Sequence, residues 1–380
     1  MRNSLRLGRL FGIPIGMHWS VAAVVVLITY VLATATLQSF LPNTSLMARI
    51  VVASAGAVAF LLSLIGHELG HALTARHHGI EVEGITLWLL GGFARLSRQP
   101  QTPGAEFWVA IAGPAANVVL AGGFALAAAT TTRYDAPELV RGVLWWLVVV
   151  NLLLAISNLL PGAPLDGGRV LTAIIWKRTG DAELARLRAA RVGLGIGAAV
   201  VVLGLLERFR WSQETGWGTL LVGAFILFAA KGEIGAAALR RRLQATPLSA
   251  LMSAHPSPVH ESMTIQQFLD HHGPGPERAL PVVRWGSAPI GYVAPNLLLD
   301  VGQPERSWTS LGRCMLPLNH VPRAWTSESV AALMDRSGGA MPSMVVLHEP
   351  RRGQPIGTLS RGQVRTLMEM PIDFWGRAGH

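Results

Sequence analysis

The stretch Leu61-Leu-Ser-Leu-Ile-Gly-His67-Glu68-Leu-Gly-His71-Ala-Leu-Thr-Ala75 sets two histidines and a glutamate inside an otherwise apolar run. At about 3.6 residues per turn, side chains four apart leave a helix roughly 40° apart, so His67 and His71 share one face. That spacing can hold one metal ion, and Glu68 beside the first imidazole can reach a water on it. Ionisable groups at membrane depth cost roughly 2.5–3.5 kcal/mol each on insertion scales. If the run crosses a membrane, these three side chains need a chemical reason to be there.

Composition places the run in a membrane. Of 380 residues 51% are hydrophobic and only 14% charged, where a soluble domain carries about a quarter; the mean hydropathy is +0.40. The formal charge of +10 does not indicate nucleic acid, because the basic residues flank the apolar spans instead of forming a stripe interleaved with aromatics. A single cysteine, Cys314, excludes an intramolecular disulfide framework. The first apolar run has no small-residue cleavage site after it and reads as a retained span.

Outward from the motif, six spans are expected, at about 19–37, 50–75, 107–129, 140–160, 192–206 and 217–230, the last two short for a ~30 Å core. Residues 10–15 read as a short apolar entry after Arg2, Arg6 and Arg9, and His18-Trp19 as an interfacial pair. Residues 84–96, β-prone and broken by Gly91-Gly92, read as a re-entrant or interfacial strand pair. An exposed edge there, expected at Thr86–Leu89, could hold an unwound peptide as an added strand. The fourth span breaks at Pro161-Gly-Ala-Pro164 and resumes with Asp166-Gly-Gly-Arg169, and prolines at such a break end a regular helix. Sixteen Lys and Arg flank the spans on the side of the termini, against five on the other side (Arg49, Arg133, Arg141, Arg208, Arg210). That asymmetry puts both termini in the cytoplasm and the His67–His71 end of its span near the same face.

After Leu243 polar residues return and a repeat appears. Met252 recurs as Met315 and Val282 as Val345, both 63 residues on, while Gly291-Tyr-Val pairs with Gly357-Thr-Leu. Each copy reads as strand, helix, strand, strand, helix, with helices at 264–271 and 328–337. This pattern resembles a pair of CBS domains. The G-x-x-T-x-x-D signature of nucleotide-binding copies is incomplete: one copy has Gly291, Ala294 and Leu297, the other Gly357, Ser360 and Gln363. The pair is therefore a candidate for a nucleotide or a protein partner, and for homodimer formation. The expected domains are 1–236 (membrane), 237–246 (basic linker), 247–372 (CBS-like pair) and 373–380 (tail).

Two histidines do not complete a zinc site, which usually takes three protein ligands and one open position. His77 stands where metzincins place their last histidine, but position 74 is Thr where that pattern needs Gly. Asp166 has a reason to be buried if it binds a metal; the alternative is that it caps the helix beginning at Gly167. His67-Glu68-Leu-Gly-His71, Ala112-Gly113-Pro114-x-x-Asn117 and Asn158-Leu-Leu-Pro161-Gly-Ala-Pro-Leu165-Asp166-Gly-Gly-Arg169 together resemble the site-2 protease family, intramembrane zinc metalloproteases, in its CBS-containing subgroup. The resemblance implies a polytopic α-helical membrane protein with an α/β CBS-like tail, located in the cell membrane. It implies one zinc per chain on His67, His71 and Asp166, Glu68 as general base, and Asn158 as a contact to substrate or oxyanion. It also implies a transmembrane protein substrate cut within or near its membrane helix. A transporter with a CBS pair, or a non-catalytic scaffold, would share the apolar core; the transporter would be expected to show pseudo-symmetric halves, which are absent between spans one to three and four to six.

Overall fold

The computed structural model describes residues 4–369 except 90, 135–136, 211–215, 255–256, 274–279, 286–288, 294–297, 339 and 352–354. Asp135, Ala294, Leu297 and the tail 373–380 lie outside the described residues. The chain divides into two units, Met1–Ala237 and Ala238–His380.

Among the described residues six helices are long and apolar enough to cross a membrane: α1 (Ser20–Phe40), α2 (Leu46–His77), α3 (Pro103–Arg133), α4 (Glu138–Asn158) and α6 (Ala182–Arg210) in the first unit, and α7 (Trp217–Ala245), which begins there and ends past Ala237. Between α4 and α6 a shorter helix, α5 (Asp166–Thr179), follows the proline break. Large apolar side chains such as Val26, Leu62, Val119, Phe209 and Phe228 stand exposed on these helices, as lipid-facing surfaces require. The helices start where local chemistry lets them. The Ser45 hydroxyl accepts from the Ala48 N–H at the head of α2, and Thr102 does the same for α3, whose first residue is proline. α2 ends at His77, and Gly79 just beyond its cap turns the chain away with a φ of +72° that suits a residue without Cβ.

A four-stranded sheet, in order β1 (Ser4–Leu10), β2 (Ile13–His18), β3 (Val82–Trp88), β4 (Gly91–Leu96), packs against this bundle. The β3–β4 pair follows the sequence reading, but residues 10–15 are not an apolar entry: they are the tip of a β1–β2 hairpin. The edge also differs from expectation. Thr86 and Leu87 lie on β3, paired to both β2 and β4, so β4 is the edge strand on that side. The last two spans prove longer than their apolar windows because cationic turns extend both helices, Arg186–Arg191 at the start of α6 and Arg240–Arg242 at the end of α7. All but the last residue of the basic stretch 237–246 accordingly runs as the last turns of α7.

The second unit is α/β. Two four-stranded sheets form, β6 (Val259–His260), β7 (Leu280–Val283), β8 (Pro289–Val293), β9 (Leu316–Pro317), and β10 (Arg323–Trp325), β11 (Met344–His348), β12 (Pro355–Ser360), β5 (Ser253–Ala254). The first strand of each repeat sits on the other repeat's sheet, which interlocks the two copies. Helices α8 (Ile265–His272), α9 (Val330–Arg336) and α10 (Arg361–Glu369) cover the sheets, and α8 starts in a Thr264/Gln267 capping box. Of the signature positions, Gln363 donates to the Leu251 carbonyl at 2.8 Å and to Ser253 Oγ at 2.9 Å, while accepting from the Ser360 N–H. These side chains tie α10 to the β5 segment.

Candidate metal centre

The site lies among α2, α3 and α5, with Asp166 at the first residue of α5 and His71 roughly 9 Å from the end of α2 at ~1.5 Å per residue. His67 Nε2 and His71 Nε2 are 3.1 Å apart, and Asp166 Oδ2 is 3.2 Å from the first and 3.3 Å from the second. Both histidines are buried and Asp166 nearly so. Three ligands of one tetrahedral zinc at 2.0–2.1 Å stand about 3.3–3.4 Å apart, which this triangle matches.

The outer atoms decide what the triangle presents. His71 Nδ1 lies 2.6 Å from the Val109 carbonyl, which can only accept, so that nitrogen carries the proton and Nε2 offers a lone pair. His67 Nδ1 lies 2.7 Å from Asn117 Oδ1, with the same consequence. Asp166 Oδ2 is buried without a hydrogen-bond donor. With both Nδ1 atoms turned to acceptors, two Nε2 lone pairs and the Asp166 carboxylate can converge on one point, and a cation between them would relieve their repulsion. The donor set fits zinc.

Glycines let the backbone come this close. A Cβ on Gly113 of α3 would lie 2.6 Å from His71 Cε1 and 2.7 Å from His67 Cε1. Gly167 and Gly168 permit the 159–165 loop to fold back over the first turn of α5, because a Cβ on either would meet loop backbone. Asp166 does not cap α5: Leu165 is the N-cap, without a side-chain cap bond, and the carboxylate turns to the histidines.

Glu68 is buried beside the triangle, under strand β4. A Cβ on Gly92 would stand 2.6 Å from Glu68 Cγ, so β4 runs directly across the glutamate. Arg169, one turn after Asp166, pairs with buried Glu106 of α3 at 2.9 Å. Its charge also acts on Asp166 and Glu68.

The structure therefore brings together His67, Glu68, His71 and Asp166. His77 is exposed at the end of α2, its ring against His78, outside the group. Asn158 is half-buried at the last residue of α4, and its side chain makes no hydrogen bond among the described residues. The sequence reading passed over Ser63, Asn151 and Gly92. Asn151 carried a signal, a fully buried amide in a membrane span; Gly92 carried none.

The model of Peptidase family M50 matches residues 55–138 and 133–204. A Mycobacterium tuberculosis protein whose assigned name is zinc metalloprotease Rip3 is 37% identical over 341 residues, covering 88% of this chain and 86% of that one. The solved Site-2 Protease from Methanocaldococcus jannaschii is 26% identical at a TM-score of 0.41, covering 61% of this chain and 95% of its own. A solved hemolysin-like protein containing a CBS domain, from Oenococcus oeni PSU, is 14% identical at a TM-score of 0.29, covering 35% of this chain and 96% of its own. Histidine–aspartate triangle, adjacent glutamate and relatives agree: the chain belongs to Peptidase family M50, the site-2 proteases, as a multi-pass membrane zinc metalloprotease.

Proposed function

We propose that this chain binds one zinc through His67, His71 and Asp166 and hydrolyses a peptide bond within or near the transmembrane helix of a membrane protein, in regulated intramembrane proteolysis. The observation that supports this most is the triangle of Nε2, Nε2 and Oδ2 beside a buried glutamate. Zinc supplies Lewis acidity there, activating water and polarising the scissile carbonyl. Glu68 takes a proton from the attacking water onto its carboxylate and returns it to the leaving amine. Strand β4, which crosses Glu68 at Gly92, confines that carboxylate.

A peptide bond in a membrane helix is hidden in its own hydrogen bonds, so the substrate unwinds locally. The edge of β4, which passes over Glu68, is where the unwound segment adds as a strand. Asn158, ending α4 next to the 159–165 loop, contacts the substrate backbone or the developing oxyanion. The excess of Lys and Arg beside the spans supports a cytoplasmic position for both termini and the CBS-like pair, with water reaching the site from that face.

Purified Glu68→Gln protein is expected to hold one zinc per chain by elemental analysis and to leave a single-span substrate uncut. Wild-type turnover by that variant would remove Glu68 as the base. Asp166→Ala is expected to lose zinc, and full occupancy would remove Asp166 as a ligand. Expressed in cells, the Glu68→Gln protein should retain its substrates and allow their identification.

A further inference from the structure

Four polar side chains cross the interior of the bundle in one line. Asn151 Nδ2 on α4 lies 2.8 Å from the Leu147 carbonyl and 3.3 Å from Ser63 Oγ on α2. Asn117 Nδ2 on α3 lies 3.3 Å from Asn151 Oδ1, and Asn117 Oδ1 lies 2.7 Å from His67 Nδ1. Both asparagines are 0% exposed.

Direction can be read along this line from one backbone atom. The Leu147 carbonyl only accepts, so the amide group of Asn151 that faces it is the NH2. Asn151 must then turn its oxygen to Asn117, which answers with its own NH2. That leaves the Asn117 oxygen for His67, and an oxygen there requires the proton on His67 Nδ1. Ser63 does not reverse the order, because its hydroxyl donates to the Ala59 carbonyl at 3.1 Å and receives from Asn151.

We propose that Asn151 and Asn117 are positioning residues that relay the polarity of the Leu147 carbonyl to His67, fixing the tautomer whose Nε2 lone pair faces the metal. Without the relay Asn117 is free to rotate its amide, present NH2 to Nδ1 and so favour the tautomer with a proton on Nε2, inside the triangle. Groups that orient a metal-binding histidine commonly change metal affinity 10–100-fold when removed. The inference rests on the reading of His67 as a zinc ligand.

A carboxylate separates this role from plain helix–helix adhesion. Asp at position 117 has only acceptors to show to His67 and needs no partner to orient it, whereas as interhelical glue it is worse than Asn. In detergent-solubilised protein, Asn151→Leu is expected to weaken zinc binding 10–100-fold in a chelator competition. Adding Asn117→Asp to Asn151→Leu is expected to restore it to within a few-fold of wild type. Wild-type affinity in Asn151→Leu, or no recovery in the double variant, overturns the relay. Should Asn151→Leu fail to fold, ¹⁵N spectra of the zinc-free wild-type protein decide: His67 protonated at Nδ1 is expected, and protonation at Nε2 overturns the proposal. His67→Ala serves as the separate control, since wild-type zinc affinity there refutes the metal reading itself.

Discussion

Gly113→Ala tests the centre through a single methyl group. The new Cβ would stand 2.6 Å from His71 Cε1 and 2.7 Å from His67 Cε1, closer still to His71 Nε2, and both rings are hemmed in by α3. Carbon atoms pack at about 3.5 Å, so the rings or α3 must give by about 0.8–0.9 Å. The three donor atoms are only 3.1–3.3 Å apart, so a shift of that size breaks their convergence. A misplacement near 1 Å commonly costs about 100-fold in rate, or about 2.7 kcal/mol. Helix propensity acts in the opposite direction, since Ala is favoured over Gly by about 1 kcal/mol in a helix interior. Gly122 on the same helix has open space where its Cβ would be, so Gly122→Ala isolates that favourable term. The expected result is a stabilised, fully active Gly122→Ala and a Gly113→Ala that loses about 100-fold in turnover and most of its zinc. Zinc analysis, chelator competition and cleavage of a single-span substrate measure this. Wild-type zinc and turnover in Gly113→Ala would refute the close packing on which the centre is built.

Three further perturbations probe the surroundings. Gly92→Ala puts a Cβ 2.6 Å from Glu68 Cγ; turnover should drop about 10–100-fold, part of what a general base contributes, with zinc content unchanged, and concurrent loss of zinc would contradict it. Ala94→Pro reshapes β4 beside Glu68 while leaving a proline on an edge strand, where it is tolerated. Its kcat should fall with zinc retained, and an unchanged kcat would mean that β4 does not position the base. Glu106→Gln takes the charge partner from Arg169; with Arg169 about a third exposed, the loss should be about 1–3 kcal/mol, below that of a fully buried pair, read as a lowered melting temperature in detergent.

Much of the fold was legible because membrane helices announce themselves by length and apolarity, independently of what they pack against. The same signal misjudged α6 and α7, since hydropathy registers the lipid-facing window and not the cationic turns that continue the helix into the interface. The β1–β2 hairpin was missed for a different reason. Leu5-Arg6-Leu7 and Arg9-Leu10 alternate as a strand does, but arginines before an apolar span are equally what topology demands. Only pairing with β3, some seventy residues on, decides between them. The edge strand was misplaced likewise, because which of two paired strands lies outside depends on whether β2 joins from elsewhere.

The centre divides along the same line. His67, Glu68 and His71 lie within one helix turn, and their chemistry is local enough to be read from spacing. Asp166 needed the argument that a carboxylate beside a broken span must have a partner. Asn117 and Asn151 show where such reasoning ends. Each is visible as a polar group in an apolar span, yet a buried amide can serve any neighbour and in either orientation. What gives these two a direction is the Leu147 carbonyl, a backbone atom identical in every residue and silent in sequence. The histidine spacing states that a metal can bind; which nitrogen meets it depends on an orientation that only the folded bundle supplies.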